Sequence, residues 1–383
     1  MVENLARKDN HVESPSLQQD KLKAIDFKIQ YNSIYLQRFK EMSTLITIPD
    51  DVLLSTIGQV EEHEECAVKG VLFLESKEKL SIFEKTTLLN FKRRVDSIET
   101  YFDENMKYYI EDDQCKCEVH FKQGISNEHL ITGMVLGLIG QMQQGIFECS
   151  KIVYPDKLPN FNEESSKQKI LLCSNAKINK NFEFILPLLD FYVEKVDSIV
   201  FIGTIFDMEL ENWDFSKFER ILNRLKGFMY ILPGREDPTT HFVPQTKLHQ
   251  RLFVNSDKIV RLSNPAKIEI GNKRYVFMDY NLILKDLMRY KKGSKPISGL
   301  KAIVKSRHLA PCAPDTLPSI PFCGNDPFVL HSCDYLMAGA EYFDYDYLDN
   351  KFLMTVPDFD SSKTAVIFNS DKNQFEEVSI NYN

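Results

Sequence analysis

Residues 307–330 read RHLAPCAPDTLPSIPFCGNDPFVL, and no other stretch restricts the fold as much. Pro311, Pro314, Pro318, Pro321 and Pro327 each lack an N–H and fix φ, so neither a helix nor a sheet interior can run through them. Leu309, Leu317, Ile320, Phe322 and Phe328 lie between those prolines, with two carboxylates, Asp315 and Asp326. A Pro-rich linker lacks this density of large apolar anchors. The segment is therefore expected to be an ordered, mostly extended loop. Ordered loops of such length are uncommon in compact domains and are usually functional.

A chain of 383 residues exceeds one ordinary core, so two domains are expected. A net charge of −8 argues against autonomous nucleic-acid binding, which needs a clustered basic face. Lys92-Arg93-Arg94 and Arg289 to Lys292 are short basic groups and read as solvated faces. The eight cysteines are scattered, with no C-x-x-C pair, and read as mostly buried thiols in a reducing compartment. Cys115-x-Cys117 is a close pair without a second pair to complete a tetrahedral zinc site. No apolar run approaches the ~20 residues that span a bilayer, and the N-terminus lacks a signal-peptide apolar region. The expectation is a chain inside the cell, with no membrane contact.

In order, residues 1–23 read as a polar disordered tail, 24–160 as an opening helix plus a barrel, and 168–383 as a second domain. The helix, over about 24–45, carries Tyr31, Ile34, Tyr35, Arg38, Phe39 and Met42 at helical spacing. Short strands follow at 67–74, 80–84, 107–110, around 117–121, at 130–138 and at 145–153, with a turn at Gly140 and a helical insertion over 87–102. Such a set suits an OB barrel. Its candidate strands hold as many acidic as basic residues, which favours binding protein over binding a single strand.

After a polar linker at 161–167 the pattern turns to β–α alternation. Strands are expected at 169–173, 198–202, 228–232, 275–278, 335–338, 352–356, 365–368 and 376–380. Helices are expected at 182–196, 215–225, 282–290 and 300–306. The strand ends resemble those of the calcineurin-like metallophosphodiesterase fold. Such an enzyme needs Asp, His and Asn donors converging from successive loops, because hard divalent ions take anionic oxygen or imidazole nitrogen.

Here the four loops read Asn175-Ala176-Lys177, Gly203-Thr204, Gly234-Arg235-Glu236-Asp237 and Gly339-Ala340-Glu341-Tyr342. An ammonium or guanidinium offers no lone pair to a cation. The expectation is a phosphodiesterase-like frame with no metal, no cofactor and no catalytic residues. Glu236 and Asp237 could form an acid/base pair, but without the rest of the set they read as loop-structuring groups. His249 and His308 read as structural.

These loops and the proline segment carry a family resemblance. RHLAPCAPDTL, PF, NDPFVL and Cys333-Asp334 resemble the signature of the small (B) subunit family of DNA polymerase delta. So do the opening helix YNSIYLQRFKEM, PGREDPT, SNPA, AGAEYF and TVPDF. Arg235, Glu236 and Glu341 depart from the family pattern. The resemblance implies a fold of an OB-fold β-barrel plus a catalytically inactive phosphodiesterase-like β-sandwich flanked by helices. It also implies a nuclear, non-catalytic scaffold that binds the cysteine-rich, metal-binding C-terminal region of the catalytic subunit and a further accessory subunit. DNA and the sliding clamp would be reached only through the complex. Arg307, His308, Ala313, Pro314, Asp315, Pro321, Phe322, Asp326, Pro327 and Phe328 are the signature positions, with a structural role expected. Two other functions compete: an active metal-dependent phosphodiesterase or nuclease, and an autonomous single-strand-binding OB protein.

Overall fold

The computed structural model describes residues 32–79, 100–160, 167–209, 216–253, 257–291, 293–320, 322 and 324–379. The expected tail, Tyr31, the strand at 80–84, nearly all of the helical insertion and of the linker, Pro321 and Cys323 lie outside the described residues.

The first helix, α1 (Asn32–Met42), buries Ile34, Arg38 and Met42 on one stripe. A spacing of four residues returns each side chain to the same face, so an arginine is carried into an apolar contact. Strands β1 (Leu54–Ser55), β2 (Glu65–Glu75), β3 (Lys107–Glu111), β4 (Lys116–Phe121), β5 (Val135–Gln143) and β6 (Ile146–Val153) follow. They lie in the order β1-β2-β3-β4-β6-β5, and β2 also pairs with β5, which closes the sheet into a barrel. β4–β6 is a parallel pairing and β2–β3, β3–β4, β5–β6 and β2–β5 are antiparallel, as in an OB fold.

Two sequence expectations fail here. The strand placed at 130–138 starts only at Val135, because Leu130 to Met134 run as turns. The turn placed at Gly140 lies at Gln144-Gly145 instead. Gly140 sits inside β5 at a register shift against β6, where a Cβ would lie 2.2 Å from the Glu148 carbonyl oxygen. The glycine marks a bulge and not a chain reversal.

The second half holds two sheets. One contains β7 (Lys169–Ser174), β8 (Ser198–Ile202), β9 (Met229–Leu232), β10 (Ile259–Arg261), β16 (Thr364–Asn369) and β17 (Gln374–Ser379), in the order β10-β9-β8-β7-β16-β17. The other contains β11 (Ala266–Ile270), β12 (Lys273–Met278), β13 (Tyr335–Ala340), β14 (Asp344–Leu348) and β15 (Lys351–Pro357), in the order β11-β12-β13-β15-β14. The sheets face each other across Leu172, Val200, Tyr230, Tyr275, Phe277 and Phe352, all buried.

Helices α2 (Phe182–Tyr192) and α3 (Ser216–Leu222) cover the outer face of the first sheet through Ile185, Leu188, Leu189, Phe218 and Leu222. On the second sheet lie α4 (Lys285–Met288), entered through a π-helical turn at Tyr280–Leu284, and α5 (Pro296–Ser306). α2 stops at Tyr192 and not at Val196, and α5 starts four residues before the expected Leu300, with proline in its first turn where the missing N–H does no harm. Strand β14 departs from expectation altogether. Its alternation of tyrosine and aspartate hides the period-2 pattern from a reading that looks for aliphatic residues.

The proline segment is not mostly extended. Residues 311–316 form consecutive turns, and a further turn lies at 327–328. It lies between barrel and sandwich. A single apolar cluster runs from Val119, Leu136 and Phe147 of the barrel through Leu309, Leu317 and Phe328 to Leu300 and Ile303 of α5. Six of the seven described cysteines are buried free thiols.

Candidate functional site

The chemistry of a phosphodiesterase frame would sit at the carboxyl ends of the sheet strands, so the side chains there decide what the domain can do. After β7, Asn175 (φ 49°) and Lys177 (φ 40°) take left-handed backbone conformations. Asn175 Nδ2 donates to Asp358 Oδ2 at 2.5 Å. The Lys177 ammonium is 3.1 Å from Glu236 and 3.7 Å from Asp360, and Lys180 reaches Asp360 at 2.9 Å. After β8, Thr204 is buried, and its carbonyl accepts the Lys177 N–H at 3.2 Å. Carboxylates near the surface are thus occupied by lysines.

Beneath them lie two inward-turned carboxyls. Asp237 accepts the backbone N–H groups of Ile205 (3.0 Å), Phe206 (3.0 Å) and Gly234 (2.8 Å). It ties the loop after β9 to the loop after β8. Asp279, at the end of β12, accepts Leu282 N–H at 3.2 Å and caps the π-helical turn. Burial raises both carboxyls to about 7, against the pull of the backbone donors, and Asp237 raises Asp279 further. Gln245 and Asn264 complete the floor. Gln245 Nε2 donates to Gly234 O at 2.7 Å, and Asn264 Nδ2 donates to Gln245 Oε1 at 3.1 Å. Among the described residues, no three His, Cys, Asp or Glu side chains converge in a metal-holding arrangement. The loop after β13 leads away to an exposed Glu341 and Tyr342.

A second constellation is built around Arg38 of α1, which is fully buried. Its Nε donates to Asp326 Oδ2 at 3.2 Å, and Nη1 donates to Pro311 O at 2.7 Å and Gly133 O at 3.3 Å. Nη2 donates to Ala313 O at 2.7 Å. One guanidinium therefore holds the helix, the barrel and the proline segment together. A planar fork of fixed donors suits this, since the turns at 311–316 direct carbonyls at it. Gly133 (φ 82°) meets it on the barrel side, and a Cβ there would lie 1.9 Å from Pro311 O.

His308 completes the cluster. Its Nδ1 accepts Ala310 N–H at 3.3 Å and its Nε2 donates to Asp326 Oδ2 at 3.0 Å, which fixes the neutral tautomer. Burial first, and then the Arg38 cation, push the imidazole down to about 4, against the opposite pull of Asp326. For Asp326, burial acts upward, but His308 and Arg38 together hold the carboxyl well below its ordinary range.

Residues 30–152 match the family described as DNA polymerase delta subunit OB-fold domain, and residues 170–344 match the B-subunit family of DNA polymerases alpha and epsilon. The DNA polymerase delta small subunit of Saccharomyces cerevisiae is 23% identical over 441 residues, covering 93% of this chain and 90% of the yeast protein. That of Oryza sativa is 23% identical over 390 residues, with 89% and 90% covered.

The chain belongs to the DNA polymerase delta small-subunit family. Among solved structures, Vps29 of Chaetomium thermophilum overlaps 55% of this chain and 97% of its own at 12% identity, with a TM-score of 0.29. That overlap is loose, and the sandwich topology described above stands without it.

Several of the signature positions expected from the sequence lie near Arg38, a residue the sequence pattern places on a helix stripe without a role. Asp326, His308 and Ala313 touch it or its partners directly. Arg307 ends α5 in a left-handed conformation and donates to Leu330 O at 3.1 Å and Asp156 O at 3.1 Å. Phe328 is buried with the Phe322 ring 6.4 Å away, and Pro327 O accepts Lys267 Nζ at 2.8 Å. Asp315, next to Pro314, pairs with Lys79 of the barrel. His249 stands apart. It is exposed and only caps a short turn by accepting Arg251 N–H at 3.2 Å, while the adjacent Leu248 is the buried residue.

Asp279 is a further structural position at the sheet ends that the loop motifs do not reveal. Its signal is an aspartate directly before the apolar run YNLIL, a helix N-cap pattern.

The His308 geometry predicts a pH dependence. An unfolded histidine takes a proton below about 6.5, whereas the buried one resists until about 4. The unfolded state binds more protons in that window, so the His308 contribution is complete above about 6.5 and is lost as pH falls towards 4. Lys267, Arg38 and Asp326 are the charged groups around it. Urea unfolding of the native chain and a His308→Gln variant should show a native advantage at pH 7 that shrinks at pH 5. A constant difference would show that the imidazole does not titrate as described.

Proposed function

We propose that the chain acts as a non-catalytic accessory subunit of a delta-type replicative DNA polymerase. In this reading it holds the cysteine-rich, metal-binding C-terminal region of the catalytic subunit and a further accessory subunit, in the nucleus, and contacts DNA and the sliding clamp only through the complex. Residues 24–160 and 168–383 are its two modules.

The observation that carries the proposal is the Arg38–Asp326 tie, together with the continuous apolar core around it. Two modules that share one core present a surface of fixed shape, so partners dock without a large ordering penalty. The sheet-end loops support the same reading. Lys177 stands among the carboxylates at the mouth, and the Asp237 oxygens are taken up by backbone amides. A divalent ion needs free anionic donors, and these residues supply cations and occupied acceptors instead.

Co-expression with the C-terminal region of the candidate catalytic subunit tests the proposal. Recovery of a stoichiometric complex at physiological salt is expected. A monodisperse chain that never takes up that region would sink it. So would manganese-dependent cleavage of single-stranded DNA that disappears in an Asp237→Ala variant.

A further inference from the structure

Strands β12, β13 and β15 run parallel, so their first residues share one end of the second sheet. That end is opposite the loops of the phosphodiesterase-like frame. A pocket of about 290 Å3 opens there, with Lys273 of β12, Lys351 of β15, Asn160 and Asn373 on its wall.

Its charges are unbalanced. Lys351 is 1% exposed, and its ammonium donates to Pro159 O at 2.7 Å and to Asn160 Oδ1 at 2.9 Å. Both acceptors are neutral, and no carboxylate lies within ion-pair distance of it among the described residues. Buried charges are normally paired. Burial pulls this ammonium below the ordinary lysine range, with Asp334 opposing from further off. Lys273 is half-buried and likewise has no carboxylate partner among the described residues. Asp334, the acid on the wall, is already answered by Arg274, whose backbone N–H and Nε lie 2.9 and 3.4 Å from its Oδ2. At the rim, Asp349 pairs with Lys157 at 2.6 Å and Asp371 with Lys167 at 3.9 Å.

The amides add donors of the same kind. Asn160 Oδ1 is taken by Lys351, and Asn373 Oδ1 accepts from the Tyr335 hydroxyl at 3.0 Å. With both oxygens used, the NH2 groups of Asn160 and Asn373 remain as donors. The rings of Tyr335, Tyr347 and Phe352 form the apolar part of the wall. Tyr347 is 50% exposed and is held edge-on to Phe352 at 5.1 Å.

We propose that this pocket binds a small phosphate monoester carrying a planar ring, the chemistry shared by nucleoside monophosphates and aryl phosphates. Two cations without counterions and two amide donors suit a phosphate oxyanion, since hydrogen bonds to ionised groups are the strong ones. The volume is far above the ~30 Å3 share of a water molecule, which leaves room for an organic group, and the Tyr347 ring offers a stacking face. The site goes beyond the subunit assignment and does not depend on it.

The test is isothermal titration calorimetry of the full chain at physiological salt with AMP, phenyl phosphate, inorganic phosphate and adenosine. At least one monoester should bind about tenfold or more tightly than inorganic phosphate, the tighter one giving the class, and adenosine should not bind. Lys273→Met removes no ion pair among the described residues and should weaken monoester binding by about tenfold. Tyr347→Ala should abolish the advantage of the monoester over inorganic phosphate. Lys226→Met, which removes an exposed lysine elsewhere on the sandwich, should leave binding unchanged. Equal losses from that control, or monoesters that bind no more tightly than inorganic phosphate, would overturn the proposal. So would binding that emerges only when Glu163→Gln and Glu164→Gln are introduced together, because the chain's own carboxylates would then be the occupant.

Discussion

Asp326→Ala should destabilise the fold by about 3–5 kcal/mol, the range seen when one member of a buried ion pair is removed. Arg38 is fully buried, so without Asp326 its charge is left with the carbonyls of Gly133, Pro311 and Ala313 and the Tyr35 ring 5.7 Å away, none of which is an anion. The neutral His308 would lose its acceptor as well. Double replacement, Arg38→Met with Asp326→Leu, removes the stranded charge but leaves the carbonyls of Gly133, Pro311 and Ala313 and the donors of His308 and Phe328 without partners, so it should recover only part of the loss. Urea unfolding of the three variants reads this directly. A single Asp326→Ala that unfolds like the native chain would show that the ion pair contributes nothing.

The second large effect is at Asp237. Its carboxyl is the acceptor for three buried backbone N–H groups, from Ile205, Phe206 and Gly234. Leaving a buried donor without a partner costs about 1–3 kcal/mol, so Asp237→Ala should remove about 2–5 kcal/mol and loosen the loops after β8 and β9 together. Hydrogen exchange at those three amides should accelerate in the variant while the barrel amides stay protected. Unchanged protection of Ile205 and Phe206 would mean that other acceptors hold these loops.

Much of this arrangement is legible in the chain. Alternating apolar residues locate most strands of the barrel and the sandwich, and the prolines of 307–330 correctly mark a segment that belongs to neither sheet. The shape of that segment is less legible. Extended backbone is the local preference around each proline, but the turns at 311–316 are set by a guanidinium contributed more than 270 residues earlier in the chain. A reading by local pattern cannot supply that partner. Arg38 still leaves a trace, since a lone arginine four residues from both Ile34 and Met42 needs a buried acceptor somewhere. Gly140 misleads for a related reason. Glycine serves turns and close strand approaches equally, and only the partner strand distinguishes them.

The loops of the phosphodiesterase-like frame show the same division. Lys177 and Arg235 announce by type alone what they cannot bind. That Asp237 turns inward and staples two loops requires knowing that β8 and β9 are neighbours.

Because α5 and the proline segment share apolar contacts with the barrel, a cut in the connecting stretch near residue 160 would not yield two soluble halves. Each fragment would carry a raw greasy wall shaped for the other. Recombinant halves made separately should precipitate, and made in one cell they should find each other.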